Sequence, residues 1–412
     1  MGRFLEIAQQ GTLTNEIIPA QWVNDYKLHG ENSFVFNTPD LWHKMCIHPY
    51  TVNDRRVNGD ALEYVLTVAA PGGTFSLSNW MALLCDTAEQ AAAGLYAGLE
   101  TADQLAQSSA AMAAVSISET AMAAVTGSET AMNAICGVEM ALEYLHNSPH
   151  WDECVKENSM AIAKAAVALA NSDEFSAISS VAEMAENSSA MSAVAASATA
   201  MSAVADSNTA RTAISASEYY NQYIKENDMA IAKLAVGFAG LASAGYSGMA
   251  GVAADATAMT AVAASSTAMT AVAASGVALN AIAKYIPSGL KLTFLKALNV
   301  SALIKSAYNT CSASNLFTKT TIGNYDGVTE GNAQCTAANA ANAFIMCACG
   351  YYSNGGSVNV LFNGTTLASG ISSAGSKPSS VTSSNVNVIT MAPSTFTENN
   401  DGHVAIEKFT AK

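Results

Sequence analysis

A ten-residue phrase, roughly Ser-x-Thr-Ala-Met-x-Ala-Val-x-x, recurs in three clusters between Ala110 and Ala283. Its large apolar residue falls at Met112, Met122 and Met132, then at Met191 and Met201, then at Met259, Met269 and Leu279. Three positions after each stands a second apolar residue: Val115, Val125, Ile135, Val194, Val204, Val262, Val272 and Ile282. A longer period overlies the short one. Lys156-Glu157-Asn158-Ser159-Met160-Ala161-Ile162-Ala163-Lys164 returns as Lys225-Glu226-Asn227-Asp228-Met229-Ala230-Ile231-Ala232-Lys233, an offset of 69 residues. Such self-similarity marks an array in which neighbouring repeats or neighbouring chains bury what one repeat cannot.

The decads contain no proline and are rich in alanine, the best helix former, so their local preference is helical. On a continuous helix a ten-residue period is a heptad plus three, which overwinds a left-handed supercoil. Overwinding of that degree is hard to sustain, and Gly127, Gly137, Gly251 and Gly276 lie near or within the clusters, so short helices with breaks are expected. Ser118 and Thr120, Ser128 and Thr130, and Ser265 and Thr267 recur in phase and could cap such breaks. The Met/Val stripe reads as core, and its partner is either the same chain, folded as stacked short helices, or identical chains wound together. The narrow stripe and the unlike ends of the chain favour the second, as a parallel homotrimer.

The charge is uneven. Residues 81–283 hold 20 acidic and 5 basic side chains, equal to the whole net charge of −15, while residues 284–412 hold 5 acidic and 8 basic. An acidic repeat region is a poor nucleic-acid ligand. Glu119 and Glu129 fall in the solvent-facing phase of the decad. No apolar run reaches the roughly twenty residues of a membrane span, and Met1-Gly2-Arg3-Phe4-Leu5-Glu6 does not open a secretory signal, so a soluble product made in the cytoplasm is expected.

The ends differ from the middle. Residues 1–79 carry Pro39, Pro49, Pro71 and short strand-like runs such as Ser33–Phe36 and Glu63–Val68, the pattern of a small mixed or β-rich attachment domain. Repeat modules are read at 80–147, 148–217 and 218–285. From 286 to 412 the decads stop. One amphipathic helix is expected over Leu290–Ala307, followed by a compact β domain, plausibly a sandwich. Ala343–Cys349 is a candidate buried strand, and Asn363-Gly364 between two apolar runs is a strong type I′ hairpin signal. The fold class is therefore multidomain α+β.

Chemistry is sparse. His43, Cys46 and His48, and likewise His146, His150 and Cys154, have tolerable metal spacing, but Pro49 and Pro149 interrupt them, so no metal or cofactor is assigned. Asp326, Glu330, Glu398 and Asp401 sit in polar segments where turn roles are expected, and no nucleophile elbow or phosphate loop occurs. The chain reads as a non-enzyme. The eight cysteines lack Cys-x-x-Cys spacing and read as buried thiols; Cys347 and Cys349 share one strand face and could lie near Cys335 or Cys311.

The phrase Ser265-Ser266-Thr267-Ala268-Met269-Thr270-Ala271-Val272-Ala273-Ala274-Ser275 and its relatives resemble the repeat shafts of tail fibres and related virion fibres of tailed bacteriophages. The segment from Asn315-Leu316-Phe317-Thr318-Lys319 to Cys349-Gly350-Tyr351-Tyr352 resembles their tips. The resemblance implies a virion-located structural protein with an N-terminal domain docking on other virion proteins, a trimeric shaft, and a C-terminal tip touching a host-surface glycan or protein. The long β-helical run of depolymerase-type spikes is missing. Tyr325, Tyr351 and Tyr352 are the aromatic candidates for receptor contact. A purely structural virion role, in which the β domain clamps neighbours, is the alternative.

Overall fold

The computed structural model describes residues 50–52, 55–57, 102–107, 112, 115–116, 119–325, 333–335, 341–351, 356–371, 378–399 and 402–412. The strand-like runs of the first 79 residues, His43, Cys46 and His48 lie outside that set. Tyr50–Val52 (β1) and Arg55–Val57 (β2) pair antiparallel. The chain divides into two compact units, Met1–Ile214 and Ser215–Lys412.

The first unit holds Ala102–Gln107 (α1), Glu119–Thr126 (α2), Glu129–Cys136 (α3), Glu139–His146 (α4), Trp151–Cys154 (α5), Ser159–Leu169 (α6), Val181–Glu186 (α7), Ser188–Ala196 (α8), Ala198–Asp206 (α9) and most of Asn208–Ala216 (α10). In the second are Asp228–Phe238 (α11), Met249–Ala254 (α12), Ala256–Ala264 (α13), Ser266–Ala274 (α14), Gly276–Tyr285 (α15), Lys291–Leu298 (α16) and Ser301–Ala313 (α17).

Each regular decad is one nine-residue helix plus one extended residue. Ser197, at φ −98° and ψ 120°, ends α8 and caps α9, its side chain accepting from Ala200 N–H. Ser265 and Ser275 do the same for α14 and α15. An N-cap side chain satisfies an amide that the helix leaves orphaned, and its own β-region backbone stops the preceding helix. The direction change is large: 104° between α8 and α9, and 102° between α13 and α14. Three such bends nearly close a turn, so a helix lands on the one three decads earlier. In the first unit α6 packs on α3 and α9 on α6; in the second α14 packs on α11, α15 on α12, α16 on α13 and α17 on α14. The result is a coil with three short helices per turn.

This geometry answers the partner question left open by the repeat. Met191, Val194, Met201 and Val204 in the first unit, and Met259, Val262, Met269, Val272, Leu279 and Ile282 in the second, are buried within one chain. Burying each such side chain stabilises by ~1.5–3 kcal/mol, which short Ala-rich helices need because alone they are unstable. A wound coiled coil would require continuous helices, and bends near 100° every ten residues preclude them.

The coil also runs past its expected end. Instead of one helix over 290–307 there are two, α16 and α17, broken at Asn299, and they stack as the next members of the series. Asn299 Nδ2 donates to Leu295 O and to Ile389 O, while its Oδ1 accepts from Ile389 N–H.

The C-terminal strands form two antiparallel sheets. Phe317–Tyr325 (β3), Gly402–Ala411 (β10), Ala343–Tyr351 (β5) and Val388–Met391 (β8) lie in the order β3-β10-β5-β8. Ala333–Cys335 (β4), Ser394–Asn399 (β9), Ser357–Phe362 (β6) and Thr365–Ile371 (β7) lie in the order β4-β9-β6-β7. The β6–β7 hairpin turns at Asn363 (φ 48°) and Gly364 (φ 76°), both positive as a type I′ turn requires. One core joins Phe344, Met346 and Ala348 of β5 to Leu279, Phe294 and Tyr308 of the coil; a second joins Ile345, Cys347 and Cys349 to Val358, Val360 and Phe396 of the other sheet. The first sheet is thus covered on both faces, by helices and by the second sheet, which accounts for the continuous apolar run of β5. A boundary at 286 is not a core boundary, since coil and sheet share one apolar interior.

Candidate functional site

Two places in the molecule concentrate polar geometry: the rim of the first sheet and the joints between coils.

Strand β3 begins at Phe317, with three residues between it and the end of α17, and ends eight residues later at Tyr325, about 26 Å away at strand rise. Tyr325 pairs with Val404 and Tyr351 with Gly402, so the two tyrosines flank the start of the central strand β10 at one end of the sheet. The same end receives the last residues of β9 and β7 and the first of β6, through the pairs Ser357 with Asn399 and Val358 with Ile371. Register therefore places two of the three candidate tyrosines at one end of the sheet, on the two strands either side of β10. Tyr352, like Asp326, Glu330 and Asp401, lies outside the described residues. Glu398 stands on β9 opposite Val358.

Below the rim is a polar cluster with no sequence signal. Tyr308 Oη lies 2.7 Å from Val381 O and 3.2 Å from Glu407 Oε2, and Lys319 Nζ lies 2.8 Å from that oxygen and 3.1 Å from Tyr308 Oη. Burial pulls the Lys319 ammonium down, but hydrogen bonds with Glu407 and Tyr308 outweigh it and hold the group above its ordinary value. The cluster ties α17 to the two strands that lead to Tyr325. With every one of these groups bonded within the cluster, it reads as an anchor.

At the joints, cap residues serve two helices. Asn158 accepts from Ala161 N–H at the start of α6 and donates from Nδ2 to Thr126 O at the end of α2. Ser197 donates to Leu169 O, the end of α6, and Ser265 to Phe238 O, the end of α11. Glu157 accepts from Asn208 N–H, Thr209 N–H and Thr209 Oγ1 at the start of α10. Burial pushes this carboxyl up, yet the bonds from Thr209 and Asn208, with Arg211 nearby, leave it below the usual carboxylate value. Sixty-nine residues on, Glu226 accepts from Gly276 and Val277 N–H at the start of α15. A Cβ on Gly276 would come within 2.7 Å of Ser314 Oγ and 3.2 Å of Glu226 Oε2, so glycine there permits the close approach.

The long-period lysines are the surprise. Lys164 and Lys233 are fully buried, against the usual placement of lysine at the surface. Lys164 Nζ donates to Asn133 Oδ1 at 2.7 Å and to Phe175 O at 3.0 Å, with Glu129 Oε1 at 3.3 Å. Lys233 Nζ donates to Ser243 O at 3.2 Å. The signal available was their recurrence at the same point of an otherwise apolar phrase.

His146, His150 and Cys154 do not share one helix, the interruption expected from Pro149. His146 ends α4, His150 precedes α5, and Cys154 ends it. Burial lowers His146, whose ring meets Trp151 edge-on at 4.9 Å. Among the described residues no three His, Cys, Asp or Glu side chains cluster as a metal site. Cys136, Cys154, Cys311, Cys347 and Cys349 are buried thiols outside any disulfide. Cys311 lies in the helix-facing core and Cys347 and Cys349 in the inter-sheet core, so the sheet separates them. Among the described residues no single helix is long and apolar enough to cross a membrane. Neither a protein-family model nor a curated protein sequence matches this chain.

Proposed function

We propose that this chain is a structural fibre protein of a bacteriophage virion, docked through its N-terminal region and presenting its C-terminal β layers to a host-surface glycan or protein. The observation that carries the reading is the placing of Tyr325 and Tyr351 together at the sheet end remote from the helix that enters it. Aromatic rings offer flat faces for sugars, and a fibre gains affinity by engaging several copies at once. The coil supplies stiffness: Ser197 and Ser265 each tie the helix they cap to the one three helices earlier, a mechanical link suited to a fibre. Self-association, a trimer in the first instance, would then come from the ends or outer faces of coils.

The test uses the full chain, fluorescently labelled, on a panel of bacterial cells and a glycan array, with its mass measured by light scattering. Retention that falls about tenfold in Tyr325→Ala with Tyr351→Ala supports the tip reading. Retention by no cell or glycan overturns it and favours the second reading, a virion component whose β layers clamp neighbouring subunits. The shared core of coil and sheet in the second unit favours that second reading, because it builds the β layers into the coil.

A further inference from the structure

Lys164 lies beside a carboxamide and a carboxylate. Its amine has no exposure to water and sits 2.7 Å from Asn133 Oδ1, one bond from the amide carbon Cγ. Glu129 precedes Asn133 by one helical turn on α3, which puts both on one face of that helix, and its Oε1 is 3.3 Å from the same Nζ. An amine, a carboxamide and a carboxylate are thus held together between consecutive coils, α3 and α6, with water kept off the amine. At positions 69 residues after Asn133 and Glu129 the sequence has Ser202 and Ala198, which offer neither amide nor carboxylate.

We propose that Lys164 and Asn133 join through an intramolecular amide bond. The Lys164 ammonium first passes one proton to solvent by way of the exposed Glu129 carboxylate; the amine so formed attacks Asn133 Cγ, and Glu129 takes the second proton that the nitrogen must lose. The Nζ–Cγ bond forms, Glu129 returns the proton to Nδ2, the Cγ–Nδ2 bond breaks, and ammonia leaves. No oxidant, reductant or further reactant enters. The side chain of Glu129 is 57% exposed, so its outer edge opens a path to solvent for the ammonia. Fixed juxtaposition of amine and amide replaces a bimolecular encounter, the source of the large effective concentrations of intramolecular reactions. The product would lock one coil to the next at the joint now held by hydrogen bonds.

Intact-mass spectrometry of the full chain, freshly purified and after prolonged incubation at mildly alkaline pH, tests this directly. The expected result is a species lighter by one ammonia, whose digest yields a branched peptide joining Lys164 to residue 133. Asn133→Ala should show no loss at that site, Asn133→Asp should lose one water instead, and Glu129→Gln should slow the reaction by about a hundredfold. A wild-type mass equal to the sequence mass at every time overturns the proposal. So does an ammonia loss that maps to residue 133 without the branch to Lys164, the mark of ordinary deamidation chemistry.

Discussion

The two copies of the long repeat, 156–164 and 225–233, keep the same joints but meet different neighbours. Asn158 and Asn227 cap α6 and α11 alike, through Ala161 and Ala230 N–H. Glu157 and Glu226 each hold the start of a helix about 51 residues on. The lysines differ: Lys164 meets an amide, a carbonyl and a carboxylate, whereas the bond of Lys233 to Ser243 O has no such carboxamide beside it at the equivalent sequence position. What the repeat preserves is the linking of one helix to another. The chemistry at each link is free to change.

The largest expected effect separates the lysines. Lys164→Ala removes the partner of Asn133 Oδ1 and Phe175 O, each worth ~1–3 kcal/mol when left unsatisfied, and opens a cavity, so a loss of about 4 kcal/mol is expected. Lys233→Ala should lose about 2 kcal/mol on the same grounds. Urea midpoints read by far-UV circular dichroism, with the slopes compared, decide it. Equal losses would mean that Asn133 and Glu129 contribute nothing to the difference between copies.

Next come substitutions that should not distinguish the regions. Met201 and Met269 occupy the same phase and are both buried, so Met201→Ala and Met269→Ala should each lose about 3 kcal/mol. Unequal losses would show that the β layers, present in one unit alone, stiffen the coil around Met269. The cap residues follow. Ser197→Ala and Ser265→Ala each delete an N-cap bond and a bond to the preceding coil, for about 1–2 kcal/mol apiece by the same denaturation measurement.

The decads made helices, the Met/Val core and the serine caps legible, because period, propensity and capping all act within ten residues. They did not reveal the coil. Met and Val at three-residue spacing look the same on a continuous helix as on broken ones, and the deciding fact is that one residue per decad takes extended backbone. Ser265 as an N-cap was the available clue, and weighting it over the heptad arithmetic would have given short bent helices. Asn299 hid the break between the last two helices, since it closes α16 without capping α17 and answers to a strand 90 residues away. The Asn363-Gly364 turn and the buried run of β5 were legible from local chemistry. The shared sheet end of Tyr325 and Tyr351 was not, because it depends on both strands pairing with β10, and the buried lysines broke the ordinary rule that lysine faces water.

The smallest effect is also the sharpest on the comparison. Glu157 has a hydroxyl partner in Thr209, while the equivalent contact of Glu226 is Val277, which offers its backbone alone. The folded carboxyl of Glu157 lies below its ordinary value, so its contribution is present above about pH 4.3 and is lost as pH falls through the lower folded value. Because the group is largely exposed, solvent screens most of that term. Glu157→Gln should flatten the acid limb of stability against pH in the wild-type background, and Thr209→Val should produce part of the same change by making the joint resemble that of Glu226. If Thr209→Val leaves the acid limb untouched while Glu157→Gln flattens it, the two backbone amides of α10 hold the carboxylate without help, and the copies are equivalent at this joint after all.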